Sequence, residues 1–300
     1  MDFLKSKPRD FFRTALAFTP TVHGDIYPSI DPTRPELSLA GKVVIVTGAS
    51  KGIGALGISP AVAKAGVKAL VLVARSIEGL KETELQIRKI NAHVDAVSFS
   101  VDISDVHAVG NFFQQVKTKF DHADILVNNT AVNTNHGPLI GDQDPDLWWR
   151  DFEINVKGQF LMTRQFISQV PDGARATIVN ITTAAATLSK LAALQMTPFV
   201  AESYPNIAAV AVHPGMLNTD IVPEEAREIH KYCNSETPGL VGGFVVWLSH
   251  PHAHFLTRRF VSAQWDVDEL CGRKDEITNT WRKLQLDMCG QFGMEQSPKS

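Results

Sequence analysis

Along most of the chain, short apolar runs alternate with longer stretches of helical periodicity. The runs at 43–47, 69–73, 96–98, 125–127, 177–181, 208–213 and 259–262 are rich in Val, Ile and Ala and predict strands. Between them the spacing predicts helices from about 52 to 65, then over 78–91, 106–120, 147–168, 188–202 and 239–248. Such alternation implies crossover units and a parallel sheet, and right-handed crossovers make that sheet doubly wound, with ligands beyond the carboxyl ends of the strands. The fold class expected is α/β, a Rossmann-type doubly wound parallel sheet in a single domain. Residues 1–40 carry Pro8, Pro20, Pro28, Pro32 and Pro35, which interrupt helices and central strands, so an N-terminal arm precedes a domain at 41–272 and a C-terminal tail at 273–300. Residues 221–238 form an insertion between elements.

Composition narrows the partners. The chain has 300 residues, 44% of them hydrophobic, enough for one large domain. A net charge of −3 without a long Lys/Arg block argues against nucleic acid or an anionic membrane as the main partner and leaves small molecules. Cys233, Cys271 and Cys289 are odd in number and lack metal-ligand spacing, so neither a disulfide framework nor a metal site is expected. That usage fits a reducing setting. No apolar run approaches the ~18 residues of a membrane span, and the first twenty residues mix Asp, Lys and Arg into their Phe positions; the expected location is cytoplasmic.

The chemistry starts where the first strand ends. Val43 to Thr47 runs into Gly48-Ala49-Ser50-Lys51-Gly52-Ile53-Gly54 and then a helix. Glycines at this spacing let the backbone turn tightly and approach phosphate oxygens, while the helix start aims free N–H groups at the same charge. This is the pattern of a dinucleotide pyrophosphate site. The second strand ends in Ala74-Arg75, where an acidic residue would bind a ribose 2′-hydroxyl; Arg75 and Lys51 instead supply two positive charges, which favours NADP over NAD.

Further stretches follow in a fixed order: Asn128-Asn129-Thr130-Ala131, Asn155, Leu188-Ser189-Lys190, and Pro214-Gly215-Met216-Leu217-Asn218-Thr219. From about Leu39 to Leu270 the order resembles the short-chain dehydrogenase/reductase family, with the nearest likeness to fungal members serving secondary metabolism. The resemblance implies an oxidoreductase that reduces a carbonyl or oxidises an alcohol with a nicotinamide cofactor. It implies cofactor contacts at Gly48, Ser50, Lys51, Gly52, Ile53, Gly54, Arg75, Asn129, Lys190, Pro214, Gly215, Leu217 and Thr219. Asp102 matches a family position beside the adenine amine, and an N-cap ahead of Ser104 is an equal alternative. The resemblance also implies that 221–238 covers substrate and that the chain forms a homo-oligomer, dimer or tetramer. His213, at a strand end, reads as a packing residue rather than a base.

Reduction of a ketone needs a hydride and a proton, and the family draws the proton from a tyrosine, aided by a serine, a lysine and an asparagine. Asn155 and Lys190 match the asparagine and the lysine, and Thr183 of the Thr182-Thr183 pair stands for the serine. The tyrosine belongs four residues before Lys190, where the chain has Ala186. Its tyrosines are Tyr27, Tyr204 and Tyr232, none with lysine at the fourth following place. Thr183 and Lys190 are also about ten residues closer than in the family pattern, which implies a lost segment. Two alternatives to an active enzyme therefore stand: a catalytically inactive nucleotide-binding paralogue, or a mis-spliced relic. Pro60 and Pro198 both fall inside expected helices, at up to about 3 kcal/mol each.

Overall fold

The computed structural model describes residues 6–134, 139–184, 187–222, 227–233, 235–280 and 282–286. Seven strands form one parallel sheet: β1 Val43–Thr47, β2 Ala69–Ala74, β3 Asp95–Ser100, β4 Ile125–Asn128, β5 Ala176–Ile181, β6 Ile207–His213 and β7 Phe260–Ser262. Their order is β3-β2-β1-β4-β5-β6-β7, so the direction of winding reverses between β1 and β4. A crevice at the strand carboxyl ends follows from that reversal. Register is continuous across the centre, with Val44 beside Leu70 on one side and Ile125 on the other.

Side-chain alternation divides the core in two. Val44, Val46, Leu70 and Leu72 face one way, onto a layer that includes Phe244 and Leu240 of helix Pro238–Leu248 and Ile30, Leu37 and Leu39 of the N-terminal region. Val43, Ile45, Val71 and Val73 face the other way, onto Phe112 and Phe113 of helix Val106–Phe120 and Met162 and Phe166 of helix Gln159–Ile167. Both layers are almost fully buried, which is why these strands read as continuous apolar runs.

Two expected helices differ from simple periodicity. The first crossover widens into a π-turn at Gly54–Ile58 that runs without a break into helix Ser59–Lys64, and Pro60 sits directly after that wider turn. The helix expected over 147–168 is three pieces: Pro145–Phe152, a π-turn at Glu153–Gly158, and Gln159–Ile167. Pro198, by contrast, sits inside helix Leu188–Ser203, which continues past it to Ser203.

The N-terminal region folds back on the sheet domain. It holds short helical turns at Phe11–Ala15, Pro28–Ile30 and Pro35–Leu37, consistent with its prolines. Trp265, just past β7, is buried against it, packing at a tilt on Phe18 and donating from Nε1 to the Leu16 carbonyl at 2.8 Å. The stretch 266–274 is thus packed against the chain's own arm through Trp265, followed by helices Val267–Gly272 and Lys274–Asn279. Among the described residues no helix is long and apolar enough to cross a membrane, and no cluster of ligating side chains could hold a metal ion.

Candidate active site

The glycine turn is fixed by left-handed backbone at Gly48 and Gly52 and by close contacts at Gly48 and Gly54. Gly48 and Gly52 have φ of +65° and +58°. A Cβ on Gly54 would lie 2.4 Å from the Gly48 carbonyl oxygen, so helix and strand touch through bare backbone there. Asn129 locks the turn to β4: its Nδ2 donates to the Thr47 carbonyl at 2.9 Å, and its own N–H donates to Thr47 Oγ1 at 2.9 Å. Thr47 Oγ1 also receives the Thr130 N–H and donates to the Val127 carbonyl. The loop after β6 completes the wall. Gly215 has φ +92°, Leu217 is buried, and the Thr219 methyl faces Gly52 at 3.9 Å from where a Cβ would stand.

Between these loops lies a cleft of about 330 Å³ lined by Ser50, Lys51, Gly52, Asn218, Thr219 and Asp220, among others. Lys51 Nζ reaches Asp220 across it at 3.2 Å, both side chains being about 70% exposed, so the pair opens at little cost. Ile53 packs beneath against the core. Arg75 is exposed just past β2 and close enough to act on Asp102. Burial pushes the Asp102 carboxyl up, but hydrogen bonds from the Ser104 hydroxyl and N–H, with the Arg75 and Arg150 charges, hold it below the usual range. Asp102 does not cap the next helix. Asp105 does, accepting from His107 and Ala108, while Asp102 closes its own turn onto Ser104.

A second group meets beyond the end of β5. The π-turn turns Asn155 inward, where it is buried and clasps Val132 from both sides: Oδ1 accepts the Val132 N–H at 2.9 Å and Nδ2 donates to its carbonyl at 2.8 Å. The same Nδ2 reaches Ser189 Oγ at 3.1 Å, next to Lys190. Lys190 is buried, with Nζ donating to the Ile181 carbonyl at 3.0 Å, and burial pulls its ammonium pKa down to about 8. Thr183 stands two residues past Ile181 and is half-buried. His213 is buried with its pKa pulled down to about 4, and its Nδ1 accepts the Ala184 N–H at 3.2 Å. It is a neutral packing residue that pins the chain after β5 to β6. Ala186 lies outside the described residues.

The sequence profile of short chain dehydrogenases matches residues 42–229. The chain belongs to that family. It is 36% identical over 273 residues to the short chain dehydrogenase mpl6 of Monascus purpureus, covering 85% of this chain and 91% of the relative. It is 32% identical over 286 residues to the short chain dehydrogenase andI of Emericella variicolor, covering 90% and 96%. Among solved structures it is similar to the short-chain dehydrogenase/reductase of Serratia marcescens BCRC 10948, with a TM-score of 0.65 and 25% identity over 75% of this chain and 96% of that one. The same fold occurs in L-sorbose reductase of Gluconobacter frateurii, solved with NADPH and L-sorbose, at a TM-score of 0.67 and 23% identity, covering 76% and 98%.

Two features of this short chain dehydrogenase escaped the sequence reading. One is a buried polar chain beneath the site: Asn128 Nδ2 donates to Thr163 Oγ1 at 3.1 Å and Asn180 Oδ1 at 2.9 Å, and Asn180 Nδ2 donates to Thr197 Oγ1 at 3.0 Å. It ties β4 and β5 to helix Gln159–Ile167, which follows the Asn155 turn, and to the helix carrying Lys190. A polar residue inside an apolar run, as at Asn180, was the available signal. The other is Glu236, buried against Gly215, which no local pattern marks.

Proposed function

We propose that the chain is an NADP-dependent oxidoreductase that reduces a carbonyl or oxidises an alcohol in secondary-metabolite biosynthesis, working in the cytoplasm as a homo-oligomer. The single observation that carries the cofactor choice is the residue type at two strand ends, Lys51 in the glycine turn after β1 and Arg75 just past β2, with no acidic side chain at the end of β2. The turn also fits the group. Gly52 is open outward save for the Thr219 methyl, and the first turn of the crossover helix follows directly. Ser50, Lys51, Gly52, Ile53 and Arg75 would hold the phosphates, Asp102 and Asn129 the adenosine half, and Lys190 with Pro214, Gly215, Leu217 and Thr219 the nicotinamide half. When bound, the cofactor supplies or takes up the hydride.

The chain's own part is to bind, orient and move a proton. Asn155 holds the Val132 backbone and Ser189, Lys190 supplies a proton-bearing amine near neutrality, and Thr183 takes the serine's part in polarising a substrate oxygen. Losing a general acid typically lowers turnover by 10²–10⁴-fold, so slow chemistry through water is compatible with the absent tyrosine. Likeness to the Monascus and Emericella relatives supports the pathway type. Exposed Leu188 and Phe199 on helix Leu188–Ser203, with Phe160 on its neighbour, support pairing with a second copy. A second reading, a silent nucleotide-binding paralogue or a mis-spliced relic, is favoured by the lack of a tyrosine four residues before Lys190.

Titration of the purified protein with NADPH and then NADH, followed by cofactor fluorescence, tests the first step. Micromolar NADPH binding, weaker for NADH, supports the assignment, and a carbonyl panel then separates slow enzyme from silent paralogue. No binding to either cofactor rejects it in favour of a relic.

A further inference from the structure

The loop Pro214–Thr219 is held by a residue pair outside the family's motifs. Glu236 lies against Gly215, where a Cβ would stand 2.7 Å from its Oε2. That oxygen accepts the Met216 N–H, and the Glu236 N–H donates back to the Met216 carbonyl at 3.0 Å. The Glu236 side chain is 1% exposed, and its other oxygen, Oε1, meets Arg13, whose Nε and Nη2 both lie at 2.9 Å. Arg13 comes from the N-terminal arm, and its guanidinium lies close against Gly24: a Cβ there would be 2.3 Å from Nη2. Next door, the Thr237 N–H donates to the Gly24 carbonyl at 2.9 Å and Thr237 Oγ1 to Asp25. Arm, carboxylate and loop are thus one connected unit.

Resting on the cofactor reading above, we infer that Arg13 and Glu236 are positioning residues: the arm's guanidinium fixes a buried carboxylate, which fixes the Met216 amide and the conformation of the nicotinamide loop. A carboxylate this buried is stable as an anion only while its cation is present. Without Arg13 the carboxylate is left buried and unpaired and swings towards water, which releases Met216. Gly215 then loses the contact that keeps it at φ +92°, and Thr219, which faces Gly52 across the cleft, moves with it. Misplacement of a positioning loop by about 1 Å is enough to change rates by about 100-fold.

The test uses the full chain and the variants Arg13→Met, Arg13→Lys and Arg13→Met/Glu236→Gln. Hydrogen–deuterium exchange of the 214–222 backbone is read in the cofactor-free protein, and NADPH affinity in parallel. Arg13→Met is expected to speed loop exchange about tenfold while β1, β4 and β5 keep wild-type rates, and to weaken NADPH about tenfold. The double variant is expected to return both to within about threefold of wild type, because the Gln carbonyl still accepts from Met216 and no charge is left buried. Loop exchange within about twofold of wild type in Arg13→Met overturns the inference, as does equal acceleration throughout the sheet, which marks a merely structural residue. If Arg13→Met does not fold, Arg13→Lys decides: its ammonium keeps the charge but not two parallel N–H groups, so a rise of about threefold confined to the loop supports the inference and none overturns it. Wild-type protein that binds no NADPH refutes the cofactor reading alone, since the exchange measurement needs no cofactor.

Discussion

Lys190→Met should make the cofactor-free protein more stable at neutral pH. The ammonium is buried and donates to a single carbonyl, that of Ile181, and burial lowers its pKa from 10.5 to about 8. A drop of about 2.5 units corresponds to about 3 kcal/mol of strain in the charged form at pH 7. Methionine fills the same channel without that term but strands the Ile181 carbonyl, at about 1 kcal/mol, leaving a net gain of about 2 kcal/mol. For a chain of this size that is a rise of about 4 °C in Tm. The sign with pH is fixed by linkage. Below about pH 8 both folded and unfolded wild type hold the proton and the strain is constant; between about 8 and 10.5 only the unfolded chain holds it, so wild-type stability climbs. The climb is about 1.4 kcal/mol per pH unit, so the advantage of Lys190→Met closes near pH 9.5. Thermal unfolding of both proteins at pH 7 and 9.5, without cofactor, reads the difference directly. A variant less stable than wild type at pH 7, or a gap that does not change with pH, would refute the reasoning.

Four other outcomes follow from the same contacts. Gly54→Ala drives a Cβ into the Gly48 carbonyl and should destabilise by about 2 kcal/mol, whereas Gly110→Ala, in open space on helix Val106–Phe120, should stabilise by up to about 1 kcal/mol; paired denaturant melts compare them. Arg75→Glu should weaken NADPH about tenfold and leave NADH within about twofold, as measured by fluorescence titration. His213, held neutral with its pKa near 4, should show no imidazole titration by NMR above about pH 5; as pH falls from 6.5 towards 4 the unfolded chain gains that proton first, and the protein loses stability. Asn155→Leu strips both bonds from Val132 and should cost about 2 kcal/mol, with exchange at 130–134 rising before that of the strands.

The sheet was legible because β1, β2, β4, β5 and β6 are buried along their whole length and separated by helices of ordinary length, so their apolar runs stand out from the helical periodicity. The glycine turn was legible for a local reason: backbone at φ +65° and +58° and a contact of 2.4 Å admit almost nothing but glycine. The π-turns were not legible, because the apolar spacing over Gly54 to Ile58 and Glu153 to Gly158 reads on into the flanking helices and does not mark where a turn widens. Pro60 looked like a liability for the same reason. Asp102 and Asp105 show the limit of local rules: either could cap a helix by type and position, and only the fold assigns the cap to Asp105. Arg13 and Glu236 are separated by 223 positions, and nothing near either one announces a buried pair.

The absent tyrosine and the surviving frame separate cleanly. Lys190 and Asn155 are held by Ile181, Val132 and Ser189, and none of those bonds passes through position 186, so their order does not require a phenol. A buried ammonium that strains the cofactor-free protein by about 3 kcal/mol contributes nothing to folding. Its strain is relieved only by groups that solvate it, and the hydroxyls of a bound ribose are such groups. A frame freed of function would be more stable without it. The question of activity thereby moves from the fold to the proton: whether water held near Asn155 and Lys190 can deliver to the substrate oxygen what a tyrosine otherwise would.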